Sequence, residues 1–176
     1  MIQLGRYKIA AGTAVLLLAL YVFEHGLGLK AVSVVGFSLK EMAAIIPPIF
    51  VLLGLLDVWV PRETMVRYMG EKSGIPGIAL SILIGSAAAG PLYGAFPVAA
   101  VFMKKGVKFS NILIFIGAWS TTKIPMLLFE ASSLGVPFAL TRLLVGIPGI
   151  VIIAHILVKI TRPEDIREMY AKVETM

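Results

Sequence analysis

Residues 75–103 read IPGIALSILIGSAAAGPLYGAFPVAAVFM, an apolar stretch of 29 residues without a charged side chain. A helix needs roughly 20 residues to span the hydrocarbon core, so a straight helix of this length would overshoot by about 13 Å. The middle of the stretch explains the excess, because Gly85–Pro91 is a run of small residues that ends in proline, and Gly94 and Pro97 follow it. We therefore predict a membrane segment that is interrupted near its centre.

An interrupted helix in lipid leaves backbone amides and carbonyls without partners, and each such group costs several kcal/mol unless protein or water covers it. Transporters place substrates at such breaks, where the freed groups become ligands. On this interpretation the substrate pathway includes Ser86, Gly90, Pro91, Tyr93 and Gly94. The alternative is a kinked helix that packs closely on a neighbour through Gly90-x-x-x-Gly94.

The composition is that of an integral membrane protein. The chain has 176 residues, of which 59% are hydrophobic and 15% charged, and its mean hydropathy is +0.94. Soluble domains are about 25% charged. The absence of cysteine excludes thiolate metal sites, and two histidines with ten acids offer little for another metal cluster. We expect no metal, no cofactor and no nucleic-acid partner, and the net charge of +6 suits basic loops beside anionic lipid.

We predict an all-α, multi-pass protein of the cytoplasmic membrane with about five spans, of which the third and fourth are discontinuous. The spans are residues 7–23, 42–60, 75–103, 109–129 and 137–160. Between the first two, residues 24–40 are predicted to be a loop or a short interfacial segment, and residues 62–69 a short amphipathic helix. Loop charges give only a weak orientation bias, nine basic residues against six, which favours a cytoplasmic tail and leaves dual topology open.

Residues 161–176 form the predicted tail, which is amphipathic. Its apolar residues recur at helical spacing, at Ile166, Met169, Tyr170 and Val173. We expect this apolar face to lie on the membrane surface or on a partner subunit.

The fourth span carries the most unusual sequence, Trp119-Ser-Thr-Thr-Lys-Ile-Pro125. A lysine near the bilayer centre costs roughly 2.5 to 3.5 kcal/mol, a cost that is tolerated when it faces a cavity, a partner or an anionic ligand. Pro125 lacks an amide proton and so frees the carbonyl of Thr121. Lys123 with the hydroxyls of Ser120, Thr121 and Thr122 is thus a candidate pathway, and the alternative is a lysine that snorkels to the headgroups.

Two acids near the membrane edges, Asp57 and Glu130, are candidates for ion or proton coupling, although both could equally lie at the interface. Arg142 is close enough to a predicted span end to meet Glu130. No pair of intramembrane acids or histidine-rich motif is present, so we expect no catalytic residues and no enzyme.

The order of these features resembles a known family. The run IIPPIFVLLGLLDVWVPRETMVRYMGEKSGIPGIALSILIGSAAAGPLYGAFPVAAVFMKKGVKFSNILIFIGAW, residues 45–119, is similar to the predicted permeases related to organoarsenical efflux permeases. The shared pattern is a helix that ends in a proline step, a charged segment with a turn, a proline-broken segment, a lysine-glycine turn and another helix. The resemblance extends over residues 45–160.

The resemblance implies a permease, with one departure. Family members often carry a cysteine in the broken segment, where this chain has Ala88-Ala-Gly-Pro-Leu-Tyr93, so the softest metal ligands are absent. Members are also often about twice as long, with two related halves. By that comparison this chain is one half, which implies a homodimer or a pair with a related half-size subunit.

We therefore expect a half-size permease that moves a small solute, for which an anion is one candidate, through a site between the two breaks. A non-transporting scaffold, or a subunit of a larger complex, is the alternative.

Overall fold

A computed structural model describes residues 8–88 and 90–175, apart from the side chains at positions 9, 10, 45, 46, 49, 50, 52, 53, 56 and 57. Every regular element among these residues is a helix, which confirms the all-α prediction. The chain divides into two compact units, one that extends to Pro48 and one that begins at Ile49.

The first unit contains α1, Lys8–Phe23, and the first part of α2, His25–Trp59. The two helices meet at Glu24, whose amide donates to the carbonyl of Leu20 over 2.9 Å. The joint is tight, since a Cβ atom at Gly28 would lie 2.3 Å from Cα of Tyr21. Glycine is therefore required at position 28.

The predicted loop at residues 24–40 is wrong, because α2 is helical from His25 and continues through Pro47 and Pro48 to Trp59. Gly26, Gly28 and Gly36 suggested a loop. A glycine within a helix costs only about 1 kcal/mol, however, and the apolar residues around these three outweigh that cost. The predicted span at 42–60 is thus the second half of a longer helix.

In the second unit, the predicted segments at 75–103 and 109–129 are each interrupted. The elements after α2 are α3 Arg62–Met69, α4 Gly74–Ala87, a 3-10 helix Leu92–Gly94, α5 Ala95–Lys104, α6 Phe109–Thr121, α7 Ile124–Ser133, α8 Val136–Ile160 and α9 Pro163–Glu174. The breaks between α4 and α5 and between α6 and α7 divide segments that composition alone would treat as continuous.

Within the described residues, two stretches are long and apolar enough to cross a membrane, Phe109–Ser133 and Val136–Ile160. Shorter apolar helices lie at Ala11–Phe23, Gly74–Ala87 and Leu92–Lys104. These findings support a membrane location, and the count of five spans stays a prediction.

Helices α4 and α6 pack closely through a row of small residues, Gly77, Ser81 and Gly85, all of which are buried. A Cβ atom at Gly85 would lie 2.5 Å from the carbonyl oxygen of Phe115, closer than real contacts allow. Small residues let helix backbones approach in membranes, where no hydrophobic effect drives them together. This row, spaced every four residues, sets the distance between α4 and α6.

Aromatic rings fill the space next to that contact. The Phe102 ring lies 4.9 Å from the Phe115 ring, which in turn lies 5.5 Å from the Trp119 ring in an edge-to-face arrangement. Each such ring pair adds about 0.5 to 1.5 kcal/mol to stability, in addition to the effect of burying the rings. The cluster therefore holds α5 against α6 and fixes the end of α6 that carries Trp119.

Helix α9 packs on α5 of its own chain. The Tyr170 hydroxyl donates to the carbonyl of Val107 over 2.6 Å, and Ile166, Met169 and Val173 are half-buried beside it. Burial, with a smaller effect of the nearby Glu71 carboxylate, raises the pKa of Tyr170 to about 12. Part of the apolar face expected on the membrane surface or on a partner therefore covers the chain's own core.

Candidate functional site

The first break begins where α4 ends at Ala87. Ala88 and Pro91 have extended backbones, and Gly90 has φ of +103°, a conformation that favours glycine. The carbonyl of Gly90 accepts a hydrogen bond from Trp119 Nε1 over 3.3 Å and a second one from Lys123 Nζ. Two side chains from the end of α6 and the residues just after it thus bind one backbone oxygen of the first break.

The second break comprises Thr122 and Lys123. Thr122 ends α6, Lys123 has an extended backbone with ψ of 134°, and α7 begins at Ile124 with Pro125 in its first turn. Proline suits the first turn because no partner is needed for its missing amide. Lys123 therefore sits at the joint between two helices and not inside one continuous helix, and its side chain is half-buried.

The two breaks contact each other directly. The hydroxyl oxygens of Ser86 and Thr122 lie 2.8 Å apart, and the Thr122 hydroxyl also bonds the carbonyl of Ala118 over 3.1 Å. With the bond from Lys123 to the Gly90 carbonyl, this gives two polar links between the breaks. Because the hydrocarbon core offers no water to bind freed polar groups, each break supplies hydrogen-bond partners to the other.

A salt bridge supports the second break from α7 and α8. Arg142 Nε lies 2.6 Å from Glu130 Oε2, and Arg142 Nη2 donates to the carbonyl of Thr121 over 2.8 Å. The Glu130 side chain is only 8% exposed. Arg142 thus binds a carbonyl at the end of α6, and Glu130 is paired with Arg142 and not with Lys123.

The structure brings together only part of the predicted pathway. Ser86, Gly90, Thr122 and Lys123 meet at the contact, whereas the side chains of Ser120, Thr121 and Tyr93 are exposed. The Thr121 hydroxyl bonds the carbonyl of Gly117, one turn back in its own helix.

Three more predicted residues have mainly structural positions. Pro91 and Pro125 shape the two breaks, and Gly94 is buried in the 3-10 helix. The side chain of Asp57 lies outside the described part of the structure.

Sequence reasoning missed two residues of the contact. Trp119 begins the motif that contains Lys123, yet nothing in the motif indicates that its indole donates to the first break. The sequence predicts the contact of Arg142 with Glu130, but it does not predict the hydrogen bond from Arg142 to the Thr121 carbonyl. Pro125 does indicate a break near Thr121, and a carbonyl at the end of a helix inside a membrane requires a hydrogen-bond donor.

Across residues 8–88 and 90–175, no group of three or more histidine and acidic side chains is placed to hold a metal ion. The described contact instead offers an ammonium group, a guanidinium group, hydroxyls and backbone carbonyls. These groups suit hydrogen bonding and charge recognition.

A family model described as a predicted permease, ArsP_1, matches residues 13–175, which is nearly the whole chain. No curated protein and no solved structure matches the chain.

Proposed function

The chain belongs to the predicted permease family, and on that premise we propose that it moves a small anionic solute across the cytoplasmic membrane at the contact between its two helix breaks. The single observation that carries this proposal is the bond from the Lys123 ammonium group to the carbonyl of Gly90. This bond joins the charged side chain of the second break to the backbone of the first break.

The charge at the contact favours an anion. Lys123 and Arg142 are cationic, and Glu130 neutralises Arg142 through the salt bridge at 2.6 Å. Lys123 is bound to a neutral carbonyl, which leaves its charge unbalanced among the described groups of the contact. An anionic solute that replaces the Gly90 carbonyl would balance that charge, and charge-assisted hydrogen bonds are about twice as strong as neutral ones.

The contact between the breaks is also weak enough to open during transport. Ser86 and Thr122 are linked by one hydroxyl contact, and such bonds in membrane proteins average only about 0.6 kcal/mol. Loss of this contact and of the bond from Lys123 to Gly90 would open the breaks locally and expose the Lys123 ammonium group, while α4 stays packed on α6 at Gly85. In many transporters, discontinuous helices at the midplane form the substrate site in this way.

Glu130 and Arg142 act as positioning residues in this proposal, because they hold the end of α6 in place through the Thr121 carbonyl and do not bind the solute. Glu130 stays a candidate for proton coupling, since its protonation would weaken its hold on Arg142, which binds the carbonyl of Thr121. Asp57 is the other candidate, and uncoupled transport is the alternative.

We further propose that two chains operate together, as a homodimer or with a related half-size subunit. The described chain supplies one pair of breaks, and transporter sites are commonly built at the interface of two repeats.

A scaffold without transport is the second candidate function. The observation in its favour is the close packing at Gly85, which a purely structural contact would also require.

The test is transport by the full chain reconstituted in liposomes and assayed with a panel of small inorganic and organic anions. Lys123→Met should lower the flux by about 10- to 100-fold, the equivalent of a hydrogen bond to a charged group. Lys123→Arg should keep part of the flux, and Lys159→Met, which removes an exposed lysine at the end of α8, should keep all of it. Unchanged flux in Lys123→Met would disprove this site, and absence of flux for every anion in the unmodified chain would favour the scaffold.

A further inference from the structure

A cavity of about 360 Å³ lies between α3, α4 and α5 and shares no lining residue with the contact between the breaks. Met65 and Met69 of α3, Leu80 and Ile84 of α4, and Phe102 of α5 line it. The size falls within the range of small-molecule sites, which are mostly apolar with a few polar groups at defined points. The lining here is suited to a hydrocarbon group.

Two cations contact residues that line this cavity. The Arg67 guanidinium lies 5.5 Å from the ring centre of Tyr68, and Lys105 Nζ donates to the carbonyl of Val60 over 2.7 Å. Lys105 is 6% exposed, so its ammonium group lies inside the protein next to Val60.

The surrounding segments carry an excess of positive charge. Residues 60–73 and 103–108 contain six basic and two acidic side chains, namely Arg62, Arg67, Lys72, Lys104, Lys105 and Lys108 against Glu63 and Glu71. Glu71 is paired with Lys108 at 3.4 Å. Without Lys105, five basic side chains remain against two acidic ones, so the segments that adjoin the cavity carry a net positive charge that would attract an anionic group.

The lining residues of α4 lie within about one leaflet thickness of the first residue of that helix. Leu80 and Ile84 are six and ten residues after Gly74, the first residue of α4, which places them roughly 9 and 15 Å along the helix axis. Half of the hydrocarbon core is about 15 Å thick. The amphipathic helix α3, with Met65 and Met69 buried beneath it, covers the end nearer to the basic residues.

We propose that this cavity binds one acyl chain of an anionic phospholipid, whose phosphate group is held by Arg67 at the rim. The apolar lining receives the chain, and the basic edge selects an anionic headgroup over a zwitterionic one. Basic pockets beside membrane helices recognise anionic lipids by the same chemistry. This proposal does not depend on transport.

Native mass spectrometry of the full chain in detergent would test it with phosphatidylglycerol and phosphatidylcholine of identical acyl chains. Phosphatidylglycerol should bind about fivefold more tightly, the effect of one basic residue near the phosphate. Arg67→Gln should remove this preference, because it should weaken the binding of phosphatidylglycerol more than that of phosphatidylcholine, whose phosphate is already balanced by its own choline cation. Arg167→Gln, which removes an exposed charge from α9, should leave the preference intact.

A second pair of variants tests the acyl chain. Leu80→Trp should fill the cavity and weaken phosphatidylglycerol binding about tenfold, the equivalent of about two buried methylenes. Leu83→Trp places the same ring on the exposed face of α4, where Leu83 is 64% exposed, and should have no effect. Thr64→Phe fills the cavity from α3 and decides the question if Leu80→Trp does not fold.

Glycerol phosphate, which has the headgroup charge without acyl chains, should not compete with phosphatidylglycerol. Full competition would show a simple phosphate site and would overturn the proposal. Folded cavity-filling variants that bind phosphatidylglycerol as tightly as the parent would overturn it as well.

Discussion

The Arg142 guanidinium donates a hydrogen bond of 2.8 Å to the main-chain carbonyl of Thr121. That carbonyl lies at the end of α6, where the break at Thr122 and Lys123 leaves it without a partner from the next turn of a helix. A side chain from α8 thus completes the end of α6, and Glu130 from α7 holds that side chain in place at 2.6 Å.

Arg142→Gln should lower the free energy of unfolding by about 3 kcal/mol, because it leaves the buried Glu130 carboxylate without its cation. Glu130→Gln combined with Arg142→Gln should cost less than Arg142→Gln alone, since no uncompensated charge remains. Unfolding in denaturing detergent measures both. The matched control is Arg162→Gln, whose partner Asp165 forms an exposed pair, and its effect should stay below about 1 kcal/mol. A double variant less stable than Arg142→Gln would contradict this role of the pair.

Gly85→Ala should destabilise the protein by about 1 to 3 kcal/mol, because the added Cβ would lie 2.5 Å from the Phe115 carbonyl and 2.8 Å from the Ala118 Cβ. Gly149→Ala is the control, since a Cβ there has no neighbour within 4 Å, and alanine in a helix should be neutral or stabilising. Thermal unfolding of both variants compares them. Equal stability of Gly85→Ala and the parent would mean that α4 and α6 are further apart than described.

The docking of α9 should depend on pH through Tyr170. Because its pKa is raised to about 12 from the usual 10, its contribution to stability is complete below about pH 10 and is lost as the pH rises toward 12. The neutral hydroxyl donates to the Val107 carbonyl, and a tyrosinate cannot. The tyrosinate absorbance of the parent should include a component that titrates near pH 12 and is missing in Tyr170→Phe. Persistence of this component in Tyr170→Phe, or its absence from the parent, would contradict the buried position of Tyr170.

The two breaks could be predicted from the sequence because their cause is local. Gly90 and Pro91 mark the break in the first segment, because proline supplies no amide and keeps the residue before it out of the helical conformation, and the combination of Lys123 with Pro125 marks the second. The loop at residues 24–40 was predicted wrongly for the opposite reason, since three glycines are a weak local signal that the apolar residues between them override.

The contacts between the breaks could not be read from the chain. Ser86 and Thr122 are separated by 36 residues, and their hydroxyl contact depends on how α4 and α6 are aligned. The close packing at Gly85 fixes that alignment. For the same reason the sequence did not indicate the exposed positions of Ser120 and Tyr93, because the side of a helix that faces a partner is set by packing.

The most direct test of transport between the two breaks is a disulfide that joins them and can be reduced again. The chain has no cysteine, so Ser86→Cys with Thr122→Cys introduces the sole thiol pair. The hydroxyl oxygens that the thiols replace are 2.8 Å apart, close enough for a disulfide to form on oxidation. Ser86→Cys with Ser120→Cys is the control, because Ser120 faces the exposed side of α6 and should not crosslink.

Anion flux through liposomes that contain the Ser86→Cys, Thr122→Cys variant is then measured before and after oxidation, and again after reduction. We predict that the disulfide forms, that flux is lost with it, and that reduction restores the flux. A disulfide that forms in full while flux continues unchanged would contradict transport between the two breaks.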